Sequence, residues 1–136
     1  MIPEERSAAE LALGHTLPDG FVDFMMQNRD RLLAIDGLSM QEHVAGGVCI
    51  TGPDLIACRD SANAAAECVQ DVPEECPNLL DWRNDFFIVG DDGGGGYYMM
   101  KRDGSPQVWL MDSDWYDEPE VDAADLSTFI QEFLAD

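Results

Sequence analysis

Two histidines, four cysteines and an excess of carboxylates are the side chains with which this chain could perform chemistry. His15 stands beside a predicted helix start and His43 at a predicted strand start. Neither has a sequence-local Cys, His or carboxylate at the spacing of a metal site. No G-x-S-x-G or comparable nucleophile motif accompanies them, so both read as structural or exposed, and no catalytic residue is expected. Cys49, Cys58, Cys68 and Cys76 follow one another at nine, ten and eight positions without a C-x-x-C pair, which excludes the zinc-ribbon and thioredoxin patterns. They read as small buried hydrophobes, with disulfides only in an oxidising compartment.

Two further segments imitate ligand loops and fail on detail. The glycine run at 93–96 resembles a phosphate cradle, but such a loop opens a helix and carries Lys followed by Ser or Thr. Here Tyr97-Tyr98 follows and Asp91-Asp92 precedes, so the loop repels phosphate. Asp112-Ser113-Asp114 starts like a calcium loop, whose ligands fall at positions one, three, five, nine and twelve with glycine at six. Tyr116, Asp117 and Ala123 occupy positions five, six and twelve, which excludes an EF-hand and leaves a solvated acidic loop. No metal and no cofactor is expected, and no motif supports a hydrolase or transferase.

Charge narrows the partners. Twenty-eight acidic residues face seven basic ones for a net charge of −21, and the ten carboxylates after Arg102 have no Lys or Arg among them. Such a field argues against nucleic acid and anionic membranes, which are bound by neutralising their charge, and favours a basic partner or high solubility. No stretch approaches the roughly 20 apolar residues of a membrane span, and the first residues lack the basic and apolar regions of a signal peptide, so a cytoplasmic protein is expected.

The elements that would position these groups form one domain over residues 1–136, of α+β class. Ser7-Ala8-Ala9-Glu10 fits a capping box ahead of a short helix ending at Gly14. Thr16-Leu17-Pro18-Asp19 opens a second helix with Phe21, Phe24, Met25 and Asn28 on one face, and the pattern weakens after Arg29. A strand broken by Gly46-Gly47 is predicted between Val44 and Thr51. Gly52-Pro53-Asp54 then starts one helix or two. Phe86-Phe87-Ile88-Val89, Tyr97-Tyr98-Met99-Met100 and Gln107-Val108-Trp109-Leu110-Met111 read as an antiparallel meander, turning at the glycine loop and at Asp103-Gly104. Leu126, Phe129, Ile130, Phe133 and Leu134 repeat with helical period at the end.

The ordered set of the Leu17-Pro18 helix with its aromatics, the strand running into Gly90-Asp91-Asp92 and the glycines before Tyr97-Tyr98, the Val108 strand and the final Phe129/Phe133 helix resembles the SUKH superfamily. Asn28 is followed by Arg29 where that family often has Asn-Gly, and Gly96 stands where it often has Asp or Asn. The resemblance implies a mostly antiparallel sheet packed with N-terminal and C-terminal helices, and a non-enzymatic domain. In bacteria it implies an immunity protein that neutralises a toxin, frequently a nuclease. The alternative it implies is a regulatory or scaffold module related to regulators of cell-wall synthesis. A basic toxin domain is therefore the expected partner of a monomer or weak dimer. Asp91, Asp92, Asp112, Asp114, Trp115, Tyr116, Asp117 and Glu118 are the expected contacts. Trp115 and Tyr116 either insert into that partner or pack inward against the sheet.

Overall fold

Helix α1 (Pro3–Leu13) begins at a proline whose fixed φ suits the first helical position, with Glu4 and Glu5 favourably placed in the first turn. The computed structural model describes residues 2–35, 38, 47–67, 85–91, 96–111 and 119–135. The capping box expected at Ser7 is not used: Ile2 is the N-cap, without a side-chain cap, and Ser7 lies inside the helix. Glu10 turns instead to the next segment. Its carboxylate accepts the Leu17 N–H at 2.7 Å and meets Arg6 at 3.4 Å. Arg6 also donates to the Leu17 carbonyl at 2.9 Å and to Asp19 at 2.7 Å, tying α1 to α2 (Asp19–Leu33).

The N-cap of α2 is Pro18 and not Thr16, again without a side-chain cap. Phe21 and Met25 are buried as their spacing predicts, while Phe24 and Asn28 are half-buried and the Asn28 amide donates to the Phe24 carbonyl at 2.8 Å. The helix runs past the point where its apolar pattern weakens. Arg29 leaves the apolar pattern to form an ion pair with Glu5 of α1 at 2.8 Å, and Leu32 returns to the core.

Strand β1 (Gly47–Val48) stops short of Thr51, where the expected run ends, while Val44 to Gly46 lie outside the described residues, and α3 (Gly52–Glu67) is one helix. Its start is built by a reciprocal pair. The Asp54 N–H donates to Thr51 Oγ1, and the Asp54 carboxylate accepts the N–H groups of Ile50 and Thr51, each at 3.1 Å. Asp54 is buried, so these bonds replace water that the carboxylate has lost.

The meander follows as β2 (Phe86–Asp91), β3 (Tyr97–Lys101) and β4 (Val108–Met111), and β5 (Glu120–Ala123) adds a strand where the acidic stretch reads as loop. The five strands are antiparallel in the order β1-β2-β3-β4-β5. At the β3–β4 turn Gly104 takes a φ of 93°, which glycine adopts without a Cβ clash, and Asp103 accepts from both the N–H and hydroxyl of Ser105. Those bonds hold the Asp103 carboxyl below its usual range. Gly90 serves a different need, because a Cβ there would lie 2.8 Å from the Gly47 carbonyl oxygen. β1 can approach β2 only over a glycine.

Helix α4 (Leu126–Ala135) starts where Asp125 accepts the Thr128 N–H at 2.8 Å, and it buries Leu126, Phe129 and Ile130. The side chains of Phe133 and Leu134 lie outside the described residues. Phe129 packs against Tyr98 with ring centroids 4.7 Å apart, Phe21 meets Phe87 edge-on at 5.0 Å, and Phe86 meets Trp109 at 5.6 Å. Full burial of each large apolar side chain contributes about 1.5–3 kcal/mol. Cys49 and Cys58 are buried as free thiols within this core, as their reading as small hydrophobes requires, and burial with Cys58 alongside pushes the Cys49 thiol well above its usual value. Cys68 and Cys76 lie outside the described residues.

Candidate partner-binding end of the sheet

Strand register decides which of the expected contacts can act together. Asp91 pairs with Tyr97, and Tyr97 pairs on its other side with Met111. Leu110 pairs with Glu120, and Gly47 pairs with Asp91. Neighbouring strands lie about 4.8 Å apart, so Asp91, Tyr97 and Met111 form a row roughly 10 Å wide. The strand ends that flank 92–96 and 112–119 therefore belong to one end of the sheet. Asp91 and Met111, the last described residues before segments 92–95 and 112–118, both lie in this row.

The tyrosines at this end are held from opposite faces. Successive strand residues point to opposite faces. The Tyr97 hydroxyl shares a hydrogen bond of 2.9 Å with Ser61 of α3, while the Tyr98 ring packs at a tilt against Phe129 of α4. Asp91 is half-buried at the mouth of the hairpin. Among the residues proposed from sequence it is the one whose environment is defined. Asp92, Asp112, Asp114, Trp115, Tyr116, Asp117 and Glu118 lie outside the described residues, as does His43.

Among the described residues, the cations with side-chain partners lie away from this row. Arg6 and Arg29 are engaged by α1–α2 ion pairs, and Arg59 reaches Asp60 at 2.7 Å and the Ala12 carbonyl at 2.8 Å. Lys101 and Arg102 occupy the far end of β3, where the Lys101 ammonium sits 5.0 Å from the centre of the Trp109 ring and the Arg102 guanidinium donates to the Phe86 carbonyl. Among the described strand residues at the near end there is no lysine or arginine.

The other side chains with chemical potential are accounted for by packing. His15 is half-buried with its ring 6.3 Å from Phe87 and its Nδ1 in a 2.9 Å hydrogen bond to the Thr16 carbonyl; burial lowers its pKa from the usual value. Among the described residues no three His, Cys, Asp or Glu side chains are grouped to hold a metal ion. No described helix is long and apolar enough to cross a membrane. Trp109 Nε1 is buried without an acceptor among the described residues.

Sequence reasoning missed β5. Of Glu120, Val121, Asp122 and Ala123 only valine favours strand, and the pairing with β4 comes from tertiary context that propensity does not carry. Pro119 immediately before it was the available signal, since proline is tolerated at a strand entry.

No curated protein and no solved structure matches this chain. A family model does, over residues 3–132, from the first residue of α1 into α4. The chain belongs to the SMI1 / KNR4 family (SUKH-1).

Proposed function

We propose that this protein is a non-enzymatic binding domain that neutralises a basic toxin domain, a nuclease being the best chemical fit, by presenting the acidic end of its sheet. The observation that supports the reading is that Asp91 and Met111, from which the acidic segments of the sequence depart, lie in one row of strand ends, with Lys101 and Arg102 at and just past the opposite end of β3. A nuclease must display a cationic surface to hold phosphate, and an inhibitor of opposite field reaches it faster and covers it. Trp115 and Tyr116, set among Asp112, Asp114, Asp117 and Glu118, are the proposed aromatic anchors, and Asp91 with Asp92 supplies charge from the adjoining hairpin. The protein acts in the cytoplasm as a monomer or weak dimer.

The test is stopped-flow association with a basic toxin domain, sought among the genes neighbouring its own. The on-rate is expected to fall steeply, by 10-fold or more, between low salt and about 0.5 M, where the Debye length is well under 10 Å. A rate that stays flat across that range rejects electrostatic capture. A partner that is instead a component of the cell-wall machinery, captured with no toxin gene nearby, would assign the protein to the regulatory branch.

A further inference from the structure

Two thiols meet at one turn of α3. Cys49 follows β1 directly, and its N–H donates to the Val89 carbonyl of β2 at 2.8 Å, while its Sγ reaches α3 and donates to the Asp54 carbonyl at 3.7 Å. Cys58 stands four residues after Asp54 on that helix. A helical Cβ tilts toward the helix N-terminus, so the Cys58 side chain leans over the same carbonyl that Cys49 approaches, and the two side chains hydrogen-bond to each other. Both thiols are free and fully buried. The short segment between them is fixed as well, because the Asp54 carboxylate holds the Ile50 and Thr51 N–H groups. Nothing needs to be gathered to bring the sulfurs together.

We propose that Cys49 and Cys58 form a redox pair that closes reversibly to a disulfide and ties the end of β1 to α3. This goes beyond the reading of the protein as a binding domain and does not depend on it. The oxidant is a low-molecular-weight disulfide such as oxidised glutathione. One cysteine thiolate attacks a sulfur of that molecule and expels one thiol; the second cysteine thiolate then attacks the protein sulfur of the mixed disulfide and expels the other. Two protein S–H groups and one small-molecule S–S bond become one protein S–S bond and two released thiols, so the oxidant takes up the electron pair and both protons. Burial sets the pace. The thiolate is the attacking species and a thiol in apolar surroundings seldom ionises, so the closed fold protects the reduced pair. Exchange waits on the lifting of β1, which pairs with β2 through only Gly47 and Val48. A reducing compartment keeps the pair as thiols, and an oxidising one bridges it.

The experiment unfolds the full chain in urea with reductant, refolds it in glutathione buffers of rising oxidised fraction, and blocks the remaining thiols before digestion with trypsin. Cleavage after Arg31, Arg59 and Arg83 leaves Cys49 with Cys58 in residues 32–59 and Cys68 with Cys76 in residues 60–83, so peptide masses tell the pairings apart. The expected product is folded protein whose 32–59 peptide is two hydrogens lighter and takes up no blocking reagent. Its urea midpoint should exceed that of the reduced protein by about 1 M, and a dithiol reductant should restore both values. Oxidation of the already folded protein should give the same bridge more slowly, and urea below the midpoint should speed it. Cys58→Ala should remove the mass change and the midpoint shift together. Should that variant fail to fold, the peptide masses of the unaltered chain still decide. Folded protein with Cys49 and Cys58 unbridged in the most oxidising buffer, either one capped by glutathione alone, a bridge from either to Cys68 or Cys76, or a bridged form with a lowered midpoint would overturn the proposal.

Discussion

Strand β2 reads Phe-Phe-Ile-Val-Gly-Asp and is buried along five consecutive residues, whereas β5 reads Glu-Val-Asp-Ala and is exposed along three. Both belong to one antiparallel sheet, and their backbones do the same thing. The difference lies in what covers them. β2 is buried on both faces, with Phe87 against Phe21 of α2 on one and Phe86 beside Trp109 of β4 on the other, so its side chains contribute their transfer free energy to stability. β5 contributes one buried residue, Ala123, and otherwise presents charge to solvent. Stability is thus concentrated in the centre of the sheet, and the margin is free to vary with the demands of recognition.

That contrast can be broken experimentally, beginning where the effect should be greatest. Phe129→Ala empties the space above Tyr98 and should cost about 3–5 kcal/mol of unfolding free energy, read as a lower urea midpoint. An unchanged midpoint would mean that α4 does not dock as described. Asp54→Ala strips the Ile50 and Thr51 N–H groups of their acceptor in a buried setting. A loss of about 1.5–3 kcal/mol is expected by the same measurement, since the bonds are made to a charged group. Glu120→Lys lies at the other extreme. On the exposed margin it should move stability by no more than about 0.5 kcal/mol in either direction, and a larger loss would show that β5 belongs energetically with β2.

The smallest effect concerns pH. His15 is held neutral by burial, with Arg102 and Arg59 reinforcing this and the Thr16 carbonyl and Glu10 opposing it. Its folded pKa lies below the unfolded value of about 6.5. As pH falls past that value the unfolded chain takes up a proton that the folded chain resists, so His15 contributes stability above it and loses that contribution as pH falls through the lower folded pKa. His15→Gln should flatten the slope of stability against pH between about 7 and 5 relative to the unaltered protein. Equal slopes for the two proteins would place the imidazole in water.

The same division explains what could be read without coordinates. β2, β3 and β4 were legible because aromatic and branched side chains bounded by turn residues have few alternatives, and α4 because Leu126, Phe129 and Ile130 repeat with helical period. Helix starts were less legible. Ser7 and Thr16 are good caps by type, yet Pro3 and Pro18 set the boundaries, because a fixed φ at the helix entrance outweighs one optional hydrogen bond. The continuation of α2 beyond Arg29 was hidden by a residue chosen for an ion pair with Glu5, a tertiary contact that periodicity cannot register. Of the candidate site, composition revealed the charge and the two tyrosines revealed the strand after the loop. The register that places Asp91 beside Tyr97 and Met111 required the fold.

The short strand β1 has a consequence for the order in which the molecule assembles. The Arg6 clamp joins consecutive helices, and β2 through β5 follow one another along the chain, so each half can form from contacts close in sequence. β1 differs, because Gly47 finds Asp91 only after the whole of α3 and the segment beyond it has been gathered. Closing such a loop costs entropy that grows slowly with its length, by about 0.6 kcal/mol per doubling, and the cost falls before the contacts that repay it exist. The two residues of β1 therefore belong, with Phe21–Phe87 and Ser61–Tyr97, to a late seam between two early-forming parts, which in a kinetic analysis takes the form of φ-values near zero at Val48 and higher ones at Met99.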